Sequence, residues 1–292
     1  MLLDKRIRFM SETVESLKSV LWEGAPWAAL TGAGISSASG IPTYRDHQGK
    51  WLGSNPIQHD EFIRDAAKRR RYWSRSALGW PRVARALPNA THDALSTLEA
   101  VGILSGVITQ NVDRLHQASG TRTVIDLHGR LDRARCLDCG HYESRAAIQE
   151  RLETLNELPE VSETALRPDG DADLPDTYIQ HFTVPVCQDC NGTLMPDVVF
   201  FGGTVPKDRV DACFDLINSA RGLIVIGSSL SVYSGYRFCR HAASQDKPLV
   251  ILNQGKTRAD SMSHYRFSEA PFSLLEKLAQ HITSTQREPS HG

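Results

Sequence analysis

Six short apolar runs, each ending near a small or polar residue, constrain this 292-residue chain more than any other feature. They are Trp27–Leu30, Gly106–Thr109, Thr123–Leu127, Val198–Phe201, Leu223–Ile226 and Leu249–Leu252. Near-continuous apolarity, in place of strict alternation, is what a parallel sheet covered on both faces requires. Helical stripes lie between the runs: Val14, Leu17 and Leu21; Val210, Cys213, Phe214 and Ile217; Leu274, Leu275, Leu278 and Ile282. Strand alternating with helix predicts a doubly wound α/β fold whose strands come from both ends of the chain.

Two stretches break that rhythm. Residues 131–195 hold two C-x-x-C pairs, a Glu-rich helical segment and a loop rich in Asp and Pro. Residues 47–91 are rich in Arg and Trp and include Lys68-Arg69-Arg70-Arg71. Both read as insertions, the first a metal-binding lobe and the second helical. The sheet domain is then discontinuous, from 1–46, 92–130 and 196–284, with 285–292 a polar tail expected to fray. With 33 Lys and Arg against 34 Asp and Glu, the net charge of −1 gives no global pull toward nucleic acid or anionic lipid. No run of about 18 apolar residues exists, so no membrane helix is expected. The first twenty residues lack the uninterrupted apolar core of a secretory signal, which predicts a cytoplasmic protein.

Polar motifs cluster where the predicted strands end. Thr31-Gly32-Ala33-Gly34-Ile35-Ser36 follows the first strand. Glycines at a strand-to-helix turn let backbone amides approach a diphosphate. Ser37 occupies the place of a third glycine, so a plain tight turn explains the motif equally well. Gly40-Ile41-Pro42-Thr43-Tyr44-Arg45 lies just downstream, and Arg45 suits a phosphate. Thr109-Gln110-Asn111-Val112-Asp113 ends the second strand, and Asn with Asp can read a carboxamide; the alternative is an Asx turn with Asp113 as a helix cap. His128-Gly129 ends the third strand and suits proton transfer near neutral pH, with His116 and His92 as competitors. Gly227-Ser228-Ser229 and Asn253-Gln254-Gly255 end two later strands and suit a ribose or an adenine edge. Cys136, Cys139, Cys187 and Cys190 can close a tetrahedral zinc site with no position open for chemistry, which makes it structural. Cys213 and Cys239 read as small packed hydrophobes.

Taken together these motifs resemble the sirtuins, NAD-dependent protein deacylases, from about residue 25 to 280. The wide cysteine spacing, the segment Arg71–Arg75 and the segment Val232–Phe238 resemble the class II sub-group. The resemblance implies a Rossmann-like doubly wound sheet with a smaller inserted zinc-binding lobe and a helical insertion. It implies NAD as a consumed co-substrate, with its diphosphate over Gly32, Ala33 and Gly34 and with Ser36, Tyr44 and Arg45 nearby. The carboxamide would meet Asn111 and Asp113, Gln110 the ribose, and Gly227, Ser228, Ser229, Asn253, Gln254 and Gly255 the adenosine end. Acyl-lysine oxygen would attack the ribose carbon to give an alkylimidate. His128 would act as general base, releasing lysine, nicotinamide and 2′-O-acyl-ADP-ribose. The acylated peptide would add as a strand between Val199, Phe200, Phe201 and Gly202 on one side and Ser231 and Val232 on the other.

Two departures matter. Gly203 stands where an acidic residue often follows the Phe-Gly pair, and Tyr44 replaces the more frequent Phe. Tyr72 and Arg75 have the spacing that, in acidic-acyl-selective sirtuins, reads a carboxylate on the acyl chain. The alternative places Lys68–Arg71 and Arg75 on a solvated helix face. The same NAD site would also serve protein mono-ADP-ribosyl transfer, or a non-catalytic NAD-sensing module.

Overall fold

The structure is a computed structural model and describes residues 12–43, 56–159 and 174–287. The chain enters through helix α1 (Val14–Glu23), whose first turn is capped by Thr13 accepting from the Ser16 amide at 3.1 Å. Strand β1 (Trp27–Thr31) is buried at every residue, as its unbroken apolarity requires. Two helices of the Arg- and Trp-rich stretch follow, α2 (His59–Arg64) and α3 (Ala66–Arg85). Asp65 starts the longer one by accepting from the amides of Ala67 and Lys68. Then come α4 (Ala90–Ala100), β2 (Leu104–Thr109), α5 (Leu115–Ala118) and β3 (Val124–Asp126).

The middle of the chain forms β4 (Gly129–Cys136), β5 (Tyr142–Ser144), α6 (Arg145–Leu155), α7 (Asp176–His181) and β6 (Leu194–Val198). The rest is α8 (Lys207–Ser219), β7 (Gly222–Ile226), α9 (Tyr233–Ser244), β8 (Leu249–Leu252), β9 (Tyr265–Phe267) and α10 (Pro271–Arg287). The last helix therefore runs past Thr285 to Arg287. No described helix is long and apolar enough to cross a membrane.

Six strands form one sheet in the order β3-β2-β1-β7-β8-β9, every neighbouring pair parallel. The order runs outward in opposite senses from β1 and β7, which is the doubly wound arrangement. Alternate residues of β1 feed two separate cores. Trp27 and Ala29 pack with α1, α4 and α10, while Ala28 and Leu30 pack with α8 and α9. Cys213 and Cys239 lie fully buried in the second core. Strands β5-β4-β6 make a small antiparallel sheet, and its core also takes Phe62, Trp73 and Phe200.

One expected strand is corrected. Val198–Phe201 adds nothing to the large sheet. Its first residue ends β6, which pairs antiparallel with β4, and Phe201 makes a single bridge to Gln58. Phe200 instead stacks on Phe62 with ring centroids 5.0 Å apart. The apolarity of this run reflects packing against the helical insertion rather than a two-sided sheet.

Candidate active site

The carboxyl ends of β1, β2, β7 and β8 open onto one cleft of about 2190 Å³. Gly32, Ala33, Gly34, Gln110, Asn111, His128, Gly227, Ser228, Ser229, Asn253, Gln254 and Gly255 all line it. So do Val199, Phe200, Phe201, Gly202, Ser231, Val232, Tyr72 and Arg75. Ser36 and Asp113 sit behind the lining, joined to it by hydrogen bonds. Tyr44 and Arg45 lie outside the described residues.

The glycine turn is built by loop-to-loop packing. Gly34 donates its amide to the Gly227 carbonyl at 2.9 Å, and Gly32 donates to Ile226 at 3.1 Å. A Cβ on Gly34 would lie 2.8 Å from the Gly227 oxygen, and one on Gly32 would lie 2.7 Å from the Ser228 Cβ. Neither position admits a side chain while the two loops touch. The segment beyond is a short 3-10 helix, Ala33–Ser39, rather than the α-helix expected of a dinucleotide-binding turn.

Beside this turn a network fixes three polar side chains. Asn111 Nδ2 donates to the Gly32 carbonyl at 3.1 Å and to Ser36 Oγ at 3.0 Å. Ser36 Oγ in turn donates to Asp113 Oδ2 at 2.7 Å, while Asp113 Oδ1 accepts from the Leu115 amide at 3.0 Å. Asp113 thus makes an Asx-type turn just ahead of α5, whose N-cap is Arg114, and is also a member of the cluster. Burial pushes its pKa up, opposed by those hydrogen bonds.

His128 is held at both nitrogens. Nδ1 lies 3.0 Å from the Gln110 carbonyl, which can only accept, so Nδ1 carries the proton. Nε2 is then the basic nitrogen, and it lies 2.7 Å from Ser234 Oγ. Burial lowers the imidazole pKa to about 4; the Gln110 carbonyl opposes this, and the charges of Arg209 and Arg237 add to it. The competing histidines are elsewhere. His116 packs behind β1 with Nε2 2.9 Å from Thr31 Oγ1, and His92 stacks on it edge-on. Both are fully buried and neither lines the cleft.

The four cysteines converge, with all four sulfurs within 4.8 Å of one another. Cys136 and Cys190 sulfurs are 3.5 Å apart, and Cys139 and Cys187 sulfurs 3.7 Å. Zinc held at about 2.3 Å by four tetrahedral thiolates separates them by about 3.8 Å. The donor set fits one structural zinc ion.

Arg75 is only 7% exposed, so the solvated-face alternative does not hold for it, although Lys68 does stand 43% exposed by its side chain. Tyr72, one turn earlier on α3, packs edge-on against Phe62 and Phe200. Sequence reading left out Ser234, Arg237, Lys256 and Arg258, which also line the cleft. Ser234 meets His128 across 106 positions of sequence, a contact no local spacing can signal.

Residues 32–234 match the Sir2 family. The NAD-dependent protein deacetylase of Xanthomonas axonopodis pv. citri (strain 306) is 52% identical over 233 residues, covering 80% of each chain. The human mitochondrial NAD-dependent protein lipoamidase sirtuin-4 is 45% identical over 267 residues, covering 90% of this chain and 85% of that one. A Sir2 structure with a p53 peptide and NAD+ superposes with a TM-score of 0.75 at 29% identity, covering 93% of this chain and 99% of that one. On the shared sheet, the Cys₄ lobe and this extent of sequence identity, the chain belongs to the Sir2 family.

Proposed function

We propose that this chain is an NAD-dependent protein-lysine deacylase that releases nicotinamide and 2′-O-acyl-ADP-ribose. The observation that carries the proposal is His128, whose Nδ1 is pinned to a carbonyl so that Nε2 is left basic, in a residue that lines the same cleft as Asn111, itself held by Ser36 and, behind it, Asp113. The names of its relatives support the reading, as does a Sir2 structure holding both a peptide and NAD+. NAD supplies the electrophilic ribose carbon when bound. Gly32–Gly34 would face its diphosphate, Asn111 and Asp113 its carboxamide, and Ser229 with Asn253–Gly255 its adenosine end. His128, neutral above about pH 4, would take a proton from a ribose hydroxyl. The acylated peptide would run between 199–203 and 231–233, both of which border the cleft.

Three finer readings follow the same residues. Burial of Arg75 beside Tyr72 at the cleft favours acyl groups that are longer or end in a carboxylate, because guanidinium pairs bidentately with that group. The same pair, with the wide cysteine spacing, favours class II. Six free cysteines, four of them a thiolate cage, suit a reducing compartment such as the cytoplasm. The sheet domain (1–46, 92–130, 196–284), the helical insertion (47–91) and the zinc lobe (131–195) are taken as its units.

The test is incubation with NAD and acetyl-, glutaryl- and lipoyl-lysine peptides, with nicotinamide release and product mass measured. His128→Ala should abolish turnover while NAD binding survives. Appearance of ADP-ribose on protein, without 2′-O-acyl-ADP-ribose, would replace deacylation by transfer. An unchanged glutaryl-to-acetyl ratio in Arg75→Ala would remove the carboxylate preference.

A further inference from the structure

His128 does not face the cleft with an open lone pair. Gln110 O fixes the proton on Nδ1, so the 2.7 Å contact at Nε2 must be a hydrogen bond donated by the Ser234 hydroxyl. The hydroxyl therefore stands at the position from which the base collects its proton. Ser234 itself is half-buried and lines the cleft, where a bound molecule can reach it.

The arrangement closes on itself. Ser234 is the second residue of α9, and the next residue, Gly235, packs so tightly on Gln110 that a Cβ there would lie 2.7 Å from its Oε1. Gln110 then reaches back to Thr31 and Ser228, at 3.1 and 2.8 Å. One residue thus grips the imidazole with its carbonyl and seats the first turn of α9 with its side chain. Serine and histidine are thereby both tied to Gln110. Around them, Arg209 from α8 and Arg237 from α9 are the charged groups acting on the imidazole, and both disfavour its protonation. The amide end of α9, a helix of 12 residues, favours partial negative charge on the serine oxygen.

We infer that Ser234 is a proton-relay residue between the substrate hydroxyl and His128. In the step, the O–H bond of the substrate's ribose hydroxyl breaks and its proton passes to Ser234 Oγ. The Ser234 O–H bond breaks as its own proton passes to Nε2. Serine ends as it began, the imidazole becomes imidazolium, and the electron pair left on the substrate oxygen is free to form the next bond. No oxidant or further reactant enters. This inference rests on the deacylase reading.

The experiment compares wild type, Ser234→Ala and Ser234→Thr with one acyl-lysine peptide. Deacylation and nicotinamide exchange are both followed, since exchange does not use the relayed proton. Ser234→Ala should lower kcat for deacylation about 10- to 100-fold, at or below the lower end of the general acid–base range because His128 itself remains, and lower the ratio of deacylation to exchange. Ser234→Thr, which keeps the hydroxyl, should recover most of that loss. A proton inventory in mixed H₂O and D₂O should bow for wild type, where two protons move together, and run straight for Ser234→Ala. The acid limb of kcat/KM should move to higher pH in Ser234→Ala, because a donor that stabilises the neutral imidazole is gone. A Ser234→Ala enzyme with kcat equal to or above wild type, or a Ser234→Thr enzyme as slow as Ser234→Ala, would overturn the relay while leaving deacylation standing. Failure of wild type to release nicotinamide with any acyl peptide would instead remove the deacylase reading itself.

Discussion

Gly129 offers a sharp test of how the histidine is positioned. Its φ is +87°, and a Cβ there would lie 2.0 Å from the Asp197 carbonyl oxygen and 2.9 Å from the Val198 Cα. In Gly129→Ala the left-handed conformation costs about 1 kcal/mol. The contact is the larger effect, because backbone must retreat by roughly 1 Å to approach an ordinary separation. That retreat opens the Gly129–Val198 pairing of β4 with β6 and the 2.8 Å bond from the Val199 amide to the His128 carbonyl. Losing one such bond adds about 1 kcal/mol and the residual crowding a similar amount, for about 3 kcal/mol in all. Melting should fall by about 5 °C. Displacing His128 on this scale should lower kcat/KM by about 100-fold. Gly102→Ala is the control: its φ is +78°, but no atom lies within 4 Å of its Cβ. It should melt about 1–2 °C lower with full turnover. Equal melting and equal turnover in the two variants would refute the role given to the Asp197 contact.

Zinc removal should be more drastic: binding on the order of 10 kcal/mol rivals the whole margin of a folded domain. Chelation should unfold β4–β6 reversibly, seen as a lower melting temperature that one equivalent of zinc restores; an unchanged melt with no metal by mass spectrometry would contradict it. Acid should destabilise the protein before its carboxylates titrate. Burial lowers His116 to about 3, with the His92 charge adding to it, and lowers His92 to about 4. Above pH 6.5 both are neutral folded or unfolded, whereas between 6.5 and about 4 the unfolded chain binds protons the native state refuses. Urea melts should therefore show stability falling from pH 7 to pH 5, and a flat profile would count against it. Arg145→Met should cost about 3 kcal/mol in the same assay. Arg145 is 1% exposed, its guanidinium is bonded to Ser76 and Gln149 and lies 4.6 Å over Trp80; an unaltered urea midpoint would mean it adds nothing.

Legibility in the sequence followed burial. Leu223–Ile226 and Leu249–Leu252 stand in the middle of the sheet, covered on both sides, and their side chains say so without help from neighbours. Val198–Phe201 is equally apolar, yet it leaves β6 and packs on Phe62, because hydrophobicity reports that a segment is buried and not by which partner. Strand β9 is three residues at the sheet edge, too short to carry a period. The cysteine quartet needed only ligand chemistry. Glycines were half legible: Gly32 and Gly34 were read as making room for a ligand, and the space of their absent side chains holds Gly227 and Ser228. Ser234 lies in the segment Val232–Phe238 that carries part of the resemblance, but its meeting with His128 was invisible, since that contact is made only on folding.

The topology explains why the polar groups gather where they do. Strand order reverses between β1 and β7, so their connections leave toward opposite faces and a crevice opens between them. Closing its floor demands that the two loops touch without Cβ atoms, which Gly34 and Gly227 allow. The ends of β2 and β3 then bring Asp113 and His128 into the low-dielectric rim. Desolvation acts on them in opposite directions, raising the carboxyl and lowering the imidazole. Each is driven toward its uncharged form. Positive charge on the cleft lining comes instead from Lys68, Arg71, Arg75, Arg237, Lys256 and Arg258, and of these Arg237 alone is among the charges that act on the imidazole. A charge at Arg258 can thus serve anion binding without acting on His128, so Arg258→Gln should weaken NAD binding while leaving the acid limb of kcat/KM in place. A shift of that limb in Arg258→Gln, with NAD affinity unchanged, would mean the two tasks are not separated.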